Sequence, residues 1–515
     1  MNNKLTLIKK YFPTGTTEGE KHILPDAFVH IDEYSEIITP QPSSPKLLIG
    51  KKGSGKSAII DFTQRLMQNS SVPALILKPI NFGKISFENN GSVGEHTRVA
   101  YDALVQTIAS EIGAQLPCVI FNASDTQLYE SALRDGTREK SYLRKVIDIL
   151  PKLAKPFVQV DLSGIFTDSQ SASAESLVSA LKDSTSMTDT LFYLFIDDVD
   201  QVASPNVEGH LNRIWGVLLA AREFTQQLPQ LRCIITLREE VWRRLSHDKA
   251  GQRDQTDHFA SLIYYLNPSL KHIQSIIERR LELAAGELVE PHPGNNYLVF
   301  FEAKGAKMPM SDETRSWKDL ILLRSRERPR DAIQLIHALA DAALKRRIDK
   351  ISELCLSDVM PKYSEQRTTY LSQEVEEECP QILAIMRALA DIEFDYGSFK
   401  ATTENVKRFL VSLSSRFSIQ VYGVTLQEDE GSAFLIWRFL YDNGVLNARV
   451  ADNTADDGFS HIQPSADPTL VSVTRWNDMQ KVIWEINPTY RDYLIKLQAE
   501  KRTQIGLPPL KKKRS

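Results

Sequence analysis

The segment Gly50-Lys51-Lys52-Gly53-Ser54-Gly55-Lys56-Ser57 constrains this chain more than any other. It fits G-x-x-x-x-G-K-[ST] at every fixed position. A short apolar run, Lys46–Ile49, precedes it and reads as a strand; helical spacing follows it from about Lys56 to Gln68. A strand, a Gly-rich turn and a helix in that order wrap backbone N–H groups around an anion, and the helix N-terminus adds favourable dipole charge. Gly50, Gly53 and Gly55 let the backbone wrap, and Ser54 and Ala58 complete the phosphate-binding set. Lys56 is placed to reach the β- and γ-phosphates of a nucleotide and Ser57 to ligate Mg²⁺.

A second signal is Leu191–Asp200, LFYLFIDDVD, an apolar strand ending in acids. After a phosphate-binding loop this is the pattern that completes a nucleotide site. Asp197 would hold Mg²⁺ through water, Asp198 would orient or activate the attacking water, and Asp200 suits a cap on the following turn. A third signal is Ile234-Ile235-Thr236-Leu237-Arg238. Ligands gather at the carboxyl ends of strands in such sheets, so Arg238 is a candidate sensor of the γ-phosphate. The competing reading is an arginine on a solvated strand end.

Apolar runs separated by helical stretches, including Pro73–Ile80 and Leu231–Leu237, predict a parallel α/β sheet buried on both faces. The 515 residues call for two or three domains. Residues 1–45 read as an irregular N-terminal segment and 46–266 as the nucleotide-binding core. The gap between the Gly-rich turn and LFYLFI is too long for a loop, which predicts a folded insertion near 115–185 with a Ser-rich tip at Asp168–Ser173. Residues 267–375 read as a helical lid. Beyond it, helical stretches at 381–392, 403–416 and 429–443 precede strands at Val445–Val450 and Lys481–Ile486. That is a winged-helix outline over 376–498. A basic tail, 499–515, ends in Pro508-Pro509-Leu510-Lys511-Lys512-Lys513-Arg514, which reads as an import signal, a phosphate-touching tail or a solvated terminus.

Sixty-two basic residues face sixty-six acidic ones, a net charge of −4, so any nucleic-acid site must be a local patch. Cys118, Cys233, Cys355 and Cys379 are far apart and form no Cys-x-x-Cys, which fits a reducing compartment and argues against structural zinc. Without an apolar leader or a membrane-length run, the expected location is cytoplasmic. Scattered histidines with no His-x-x-x-His or His-Glu-x-x-His leave Mg²⁺ as the expected metal, and no Gly-x-Ser-x-Gly elbow occurs.

The combination GKKGSGKSA, LFIDDVD and IITLR resembles the STAND and origin-recognition branches of the AAA+ ATPases, and bacterial stand-alone ATPases of that type most closely. The resemblance extends through Ile263-Tyr264-Tyr265-Leu266-Asn267-Pro268, Arg279-Arg280-Leu281 and Arg328-Pro329-Arg330-Asp331. It implies ATP and Mg²⁺ as cofactors, a sensor-1 role for Arg238, a nucleotide-reporting lid role for Arg330 and an arginine finger at Arg253, just before the strand 261–266. It also implies homo-oligomer formation, a protein effector partner and a role in bacterial antiphage defence. Two departures stand out. The segment at 327–330 reads Glu-Arg-Pro-Arg where the group has Gly-x-Pro, and the acid after Asp197 is an aspartate where active motors use glutamate. A shorter base reaches water less well, so a slowly hydrolysing switch is expected in place of a motor.

The arginines at 324, 326, 328 and 330 read as a phosphate-contacting patch or as a solvated helix start balanced by Glu327 and Asp331. Glu428-Asp429-Glu430 opens the third helix of the winged-helix region, which disfavours phosphate contact there. Nucleic acid remains the alternative partner, through an origin-recognition-like mode. Trp437 and Trp484 read as core.

Overall fold

The computed structural model describes residues 3–70, 72–78, 91–115, 123–134, 173–183, 191–202, 209–247, 253–288, 294–307, 314–392, 394, 399–453, 458–464 and 466–506. The chain forms two compact units, His30–Asn267 and a second made of Met1–Val29 with Pro268–Ser515.

In the first unit five strands form one sheet: β1 (Lys46–Gly50), β2 (Ala74–Leu77), β3 (Phe192–Ile196), β4 (Leu231–Arg238) and β5 (Ile263–Tyr265). Their spatial order is β2-β3-β4-β1-β5, and every pairing is parallel. Parallel neighbours require crossovers, and helices supply them: Lys56–Asn69 after β1, Val93–Gln115 after β2, His210–Gln227 after β3, and Glu239–His247 with Arg253–Ala260 after β4. Helices on both faces explain why the central strands are apolar without alternation: Leu47, Leu48 and Ile49 of β1 and Leu194, Phe195 and Ile196 of β3 are all inaccessible to solvent. The predicted insertion contains two described helices, Ala123–Arg134 and Ala174–Asp183, which pack on Val93–Gln115 through Leu128, Leu177 and Leu181. Cys118, residues 168–172 of the Ser-rich tip and residues 507–515 of the tail lie outside the described residues. The strand order, with a Gly-rich turn after the inner strand β1 and acids after β3, is that of an AAA+ P-loop NTPase.

The second unit corrects the irregular reading of residues 1–45. Asn3–Tyr11 is a helix, and short helices follow at Thr17–Glu20 and Leu24–Ala27; Tyr34–Ile38 is a further short helix in the first unit. Leu5, Ile8 and Phe12 make one apolar stripe, packed against Leu270–Gly286 and Pro329–Arg346. Pro13 and the short polar runs around it interrupt the periodicity before it spans the window that a sequence reading needs. Beyond Phe12 the chain lies along the helix Pro329–Arg346. Arg330 Nε donates to the Gly15 carbonyl at 2.9 Å, Gln334 Nε2 to Thr14 at 2.8 Å and His337 Nδ1 to Phe12 at 2.7 Å. Spacings of four and three residues put those donors on one helix face.

The C-terminal part of the same unit has helices at Ile382–Ala388, Thr403–Val411 and Glu430–Asp442. An antiparallel sheet follows, in the order Phe459–Ile462, Leu446–Ala451, Ile483–Ile486, Lys400–Thr402. Between the two predicted strands the chain contributes a further one, Phe459–Ile462, which completes a hairpin with Leu446–Ala451. Trp437 and Trp484 are buried with ring centroids 4.9 Å apart, as the core reading expects.

The arginine run at 324–330 is neither a phosphate patch nor a solvated start. Arg324 pairs with Asp492, Arg326 with Asp331 at 2.7 Å, and Arg328 with Glu374 at 2.7 Å; Arg367 also pairs with Asp331. These side chains are at most a tenth exposed. Their acids come from three different helices: Asp331 lies five residues from Arg326, while Asp492 and Glu374 are remote in sequence from the arginines they meet.

Candidate functional site

The site grows from the turn after β1. Gly53 and Gly55 have φ of 85° and 106°, a left-handed backbone that glycine adopts without steric penalty. Gly50 is held for a different reason. A Cβ there would stand 2.8 Å from Ser54 Oγ and 2.9 Å from the Leu266 carbonyl. A Cβ at Gly55 would meet nothing within 4 Å, so the loop is open on that side. Ser54 is buried, and its Oγ has no hydrogen-bond partner among the described residues. A buried hydroxyl without a partner inside a Gly-rich turn suits an anion's oxygen.

Lys56 is the first residue of the helix and is buried; its Nζ donates to the carbonyls of Gly50 at 2.6 Å and Lys51 at 3.2 Å. Burial is the largest influence on its pKa and lowers it, against the opposing charges of Glu240, Asp200 and Asp198. Ala58 follows Ser57 in the first turn of the same helix. Ser57 Oγ donates to Asp197 Oδ1 at 3.3 Å.

Beyond β3, Asp197 and Asp198 are fixed by one hydroxyl on the neighbouring strand. Thr236 Oγ1 donates to Asp197 Oδ1 at 2.6 Å and accepts from the Asp198 N–H at 2.9 Å. Asp198 has φ of 55°. Burial, then the like charges of Asp197 and Asp200, push its carboxyl up to about 6; Arg238 and Lys56 oppose that rise. Arg238 ends β4 and stands opposite Gly50 in register. Its Nε meets Asp200 Oδ2 at 2.9 Å.

Three comparisons with known proteins bear on this arrangement. A family described as "FunZ-associated C-terminal helical domain" matches residues 271–372, within the second unit. No curated protein matches. Solved structures match along nearly the whole chain. The ORC2 protein of Aeropyrum pernix, as ADPNP-ADP complexes, is 13% identical and aligns over 95% of this chain and 94% of that one, with a TM-score of 0.40. Cdc6p from Pyrobaculum aerophilum is 12% identical over 96% and 98%, with a TM-score of 0.32. The ADP form of the Aeropyrum protein is 11% identical over 97% and 98%, with a TM-score of 0.34. Likenesses this distant carry no argument about the chemistry of this chain.

The first unit therefore brings together Gly50, Gly53, Ser54, Gly55, Lys56, Ser57, Ala58, Asp197, Asp198 and Arg238. Arg330 belongs to the second unit, where it ties down Gly15. Arg253 opens the helix Arg253–Ala260, two residues ahead of the shorter strand Ile263–Tyr265, and its side chain lies outside the described residues.

Sequence reasoning missed Thr236, although it is the one polar residue in the run Cys233–Leu237 and that contrast was available. It also read Asp200 as a cap only. Valine at Thr236 keeps the shape and removes both hydrogen bonds. Leaving the Asp198 N–H unpaired and Asp197 Oδ1 with Ser57 Oγ alone costs about 1–3 kcal/mol. The expected outcome is a lower melting temperature with weaker Mg²⁺-dependent nucleotide binding; unchanged values on both counts would remove Thr236 from the site.

Proposed function

We propose that this chain binds ATP with Mg²⁺ and hydrolyses it slowly, acting as a nucleotide-dependent switch. The observation that carries the reading is the open glycine turn holding Lys56 and the unpartnered Ser54 Oγ beside Ser57, Asp197 and Asp198. Ser57 and Asp197 are the pair that would hold Mg²⁺: a hydroxyl and a carboxylate are hard oxygen donors of the kind this ion takes. When bound, Mg²⁺ supplies positive charge that stabilises the developing phosphate charge. The turn's N–H groups, Ser54 and Lys56 bind and orient the phosphates, and Asp198 accepts the proton of the attacking water. Adenine is favoured over guanine because Asn-Lys-x-Asp is absent from the sequence.

Finer elements of the reading rest on the resemblance in sequence: self-assembly, a protein effector, antiphage defence, the reporting role of Arg330 and the finger role of Arg253. For the origin-recognition-like DNA mode, the C-terminal surface offers little support. On the helix Glu430–Asp442 the apolar face is buried; of the remainder, Glu430 pairs with Lys407 and Arg438 with Asp442. Phosphates gain little from cations already neutralised. No described helix is long and apolar enough to cross a membrane.

The test is equilibrium binding of ATP and ADP, with phosphate release, on the full chain and on Lys56→Ala. Removing a charge-assisted contact worth about 1.5–3 kcal/mol should weaken ATP roughly 10- to 100-fold, with turnover lost. A wild-type chain that binds no ATP at millimolar concentration ends this reading.

A further inference from the structure

We propose that Asp200 competes with the γ-phosphate of ATP for the Arg238 guanidinium, so that ATP, and not ADP, binds against the cost of this ion pair. The inference rests on the ATP-binding reading above and adds the way the site tells the two nucleotides apart.

Arg238 and Thr236 are two residues apart on β4, so their side chains leave the same face of the sheet. Thr236 already fastens the turn after β3, through Asp197 and the Asp198 N–H. Arg238 stands opposite Gly50, the first residue of the phosphate-binding turn, on the adjacent strand, about 4.8 Å away across the sheet. Its guanidinium is therefore within a side chain's length of both the phosphate turn and the acids. Asp200 lies in the short 3₁₀ turn Val199–Val202, and its side chain is only 5% exposed.

The pair is engaged at one point. Asp200 Oδ2 takes Arg238 Nε at 2.9 Å, and Asp200 Oδ1 is buried with no hydrogen-bond partner among the described residues. An arginine satisfies a carboxylate best with two parallel N–H donors, and a phosphate offers the same fork three oxygens. A one-point carboxylate contact loses to a terminal phosphate in that exchange. ADP lacks the terminal phosphate and leaves the pair as it is. Asp200 thus acts through Arg238 as a positioning residue: its hold on the guanidinium lowers the affinity for ATP and leaves that for ADP as it is.

A simpler role would be to anchor the turn to β4, and a four-way comparison separates the two. ATP and ADP are titrated, with Mg²⁺, into the full-length wild type, Asp200→Asn, Arg238→Gln and the double variant. Freeing the guanidinium should tighten ATP about fivefold and shift ADP by less than about twofold, as expected for removing a competing, partly exposed ion pair. In the Arg238→Gln background Asp200→Asn should change neither affinity. The proposal is overturned if Asp200→Asn weakens ATP, if it tightens both nucleotides alike, or if its effect survives without the arginine, which would mark a plain loss of negative charge. Asp200→Ser supplies the same arms should asparagine disturb the turn, with the melting curve reporting the fold. A wild type that binds neither nucleotide would remove the ATP reading itself, whereas normal ATP binding with an unchanged Asp200→Asn removes the competition alone.

Discussion

Alanine at Asp331 is expected to destabilise the second unit by about 3–5 kcal/mol. Asp331 is buried and meets two arginines: Arg326 at 2.7 Å on one oxygen and Arg367 on the other. Both arginine side chains are no more than 5% exposed. Removing the shared acid strands two cations away from water, and that penalty exceeds the net worth of the pairs themselves. Burial alone would raise the Asp331 pKa; the charges of Arg326, Arg367 and Arg328 outweigh burial and hold it below the ordinary aspartate value. Its contribution is therefore present above the ordinary carboxylate range and fades as pH falls toward the depressed value. In a unit of this size the loss corresponds to a fall of about 5–9 °C in the unit's melting temperature. The gap between wild type and variant should narrow below about pH 4. Replacing Arg326 and Arg367 by methionine alongside should recover much of the loss. A single-variant loss under about 1 kcal/mol, measured by denaturant titration, would show that water reaches this cluster and that the network contributes little.

That network also shows where sequence reading ends. Gly50–Ser57, LFYLFIDD and the end of β4 were legible because each carries its signal within about ten residues, in apolar runs and turn chemistry that need no partner. Arg324 and Arg328 read as part of a phosphate patch or a solvated start because their acids, at 492 and 374, belong to helices whose packing no local pattern reports; Asp331, near Arg326, was in view, but its burial and its second partner Arg367 were not. The first 29 residues fold with residues 268–515, a pairing that also requires three dimensions. One departure from the resembled pattern now has a physical meaning. Glu327 stands where the group has the glycine of Gly-x-Pro, and its φ is 57°. Arg326, beside it, is left-handed as well, with φ of 51°. Two side chains thus hold a backbone that glycine adopts freely, at about 1–2 kcal/mol each. The buried pairing of Arg326 with Asp331 and the hydrogen bond from Gln463 to Glu327, 2.9 Å, offset that strain.

Asparagine at Asp198 should abolish turnover and stabilise the protein at the same time. In its proposed role as the group that takes the proton from water, Asp198 is worth about 10²–10⁴ in rate, while ATP binding should persist because the proposed phosphate contacts belong to the turn at 50–57. The stability effect follows from its pKa. Burial, with Asp197 and Asp200 close by, raises the carboxyl from 3.8 to about 6, so the folded protein prefers it neutral. Ionised Asp198 therefore opposes folding. The penalty is absent below the unfolded value, grows as pH rises between the two values and is complete above about 6. Two pK units set an upper bound of about 3 kcal/mol, reduced by the solvent that reaches this half-buried group. Asparagine removes the charge and tolerates the left-handed backbone that Asp198 adopts. In EDTA without nucleotide, Asp198→Asn should melt above wild type at pH 8 and level with it at pH 4. Lys56→Ala gives no such gain, because it deletes a cation that offsets these acids. A variant that melts level with wild type at pH 8 would mean that the acids after β3 are not in conflict. A variant that still releases phosphate at the wild-type rate would take the base assignment away from Asp198. If both effects appear together, the cluster of like charges is a cost the fold bears for its chemistry, which is where such trade-offs are expected.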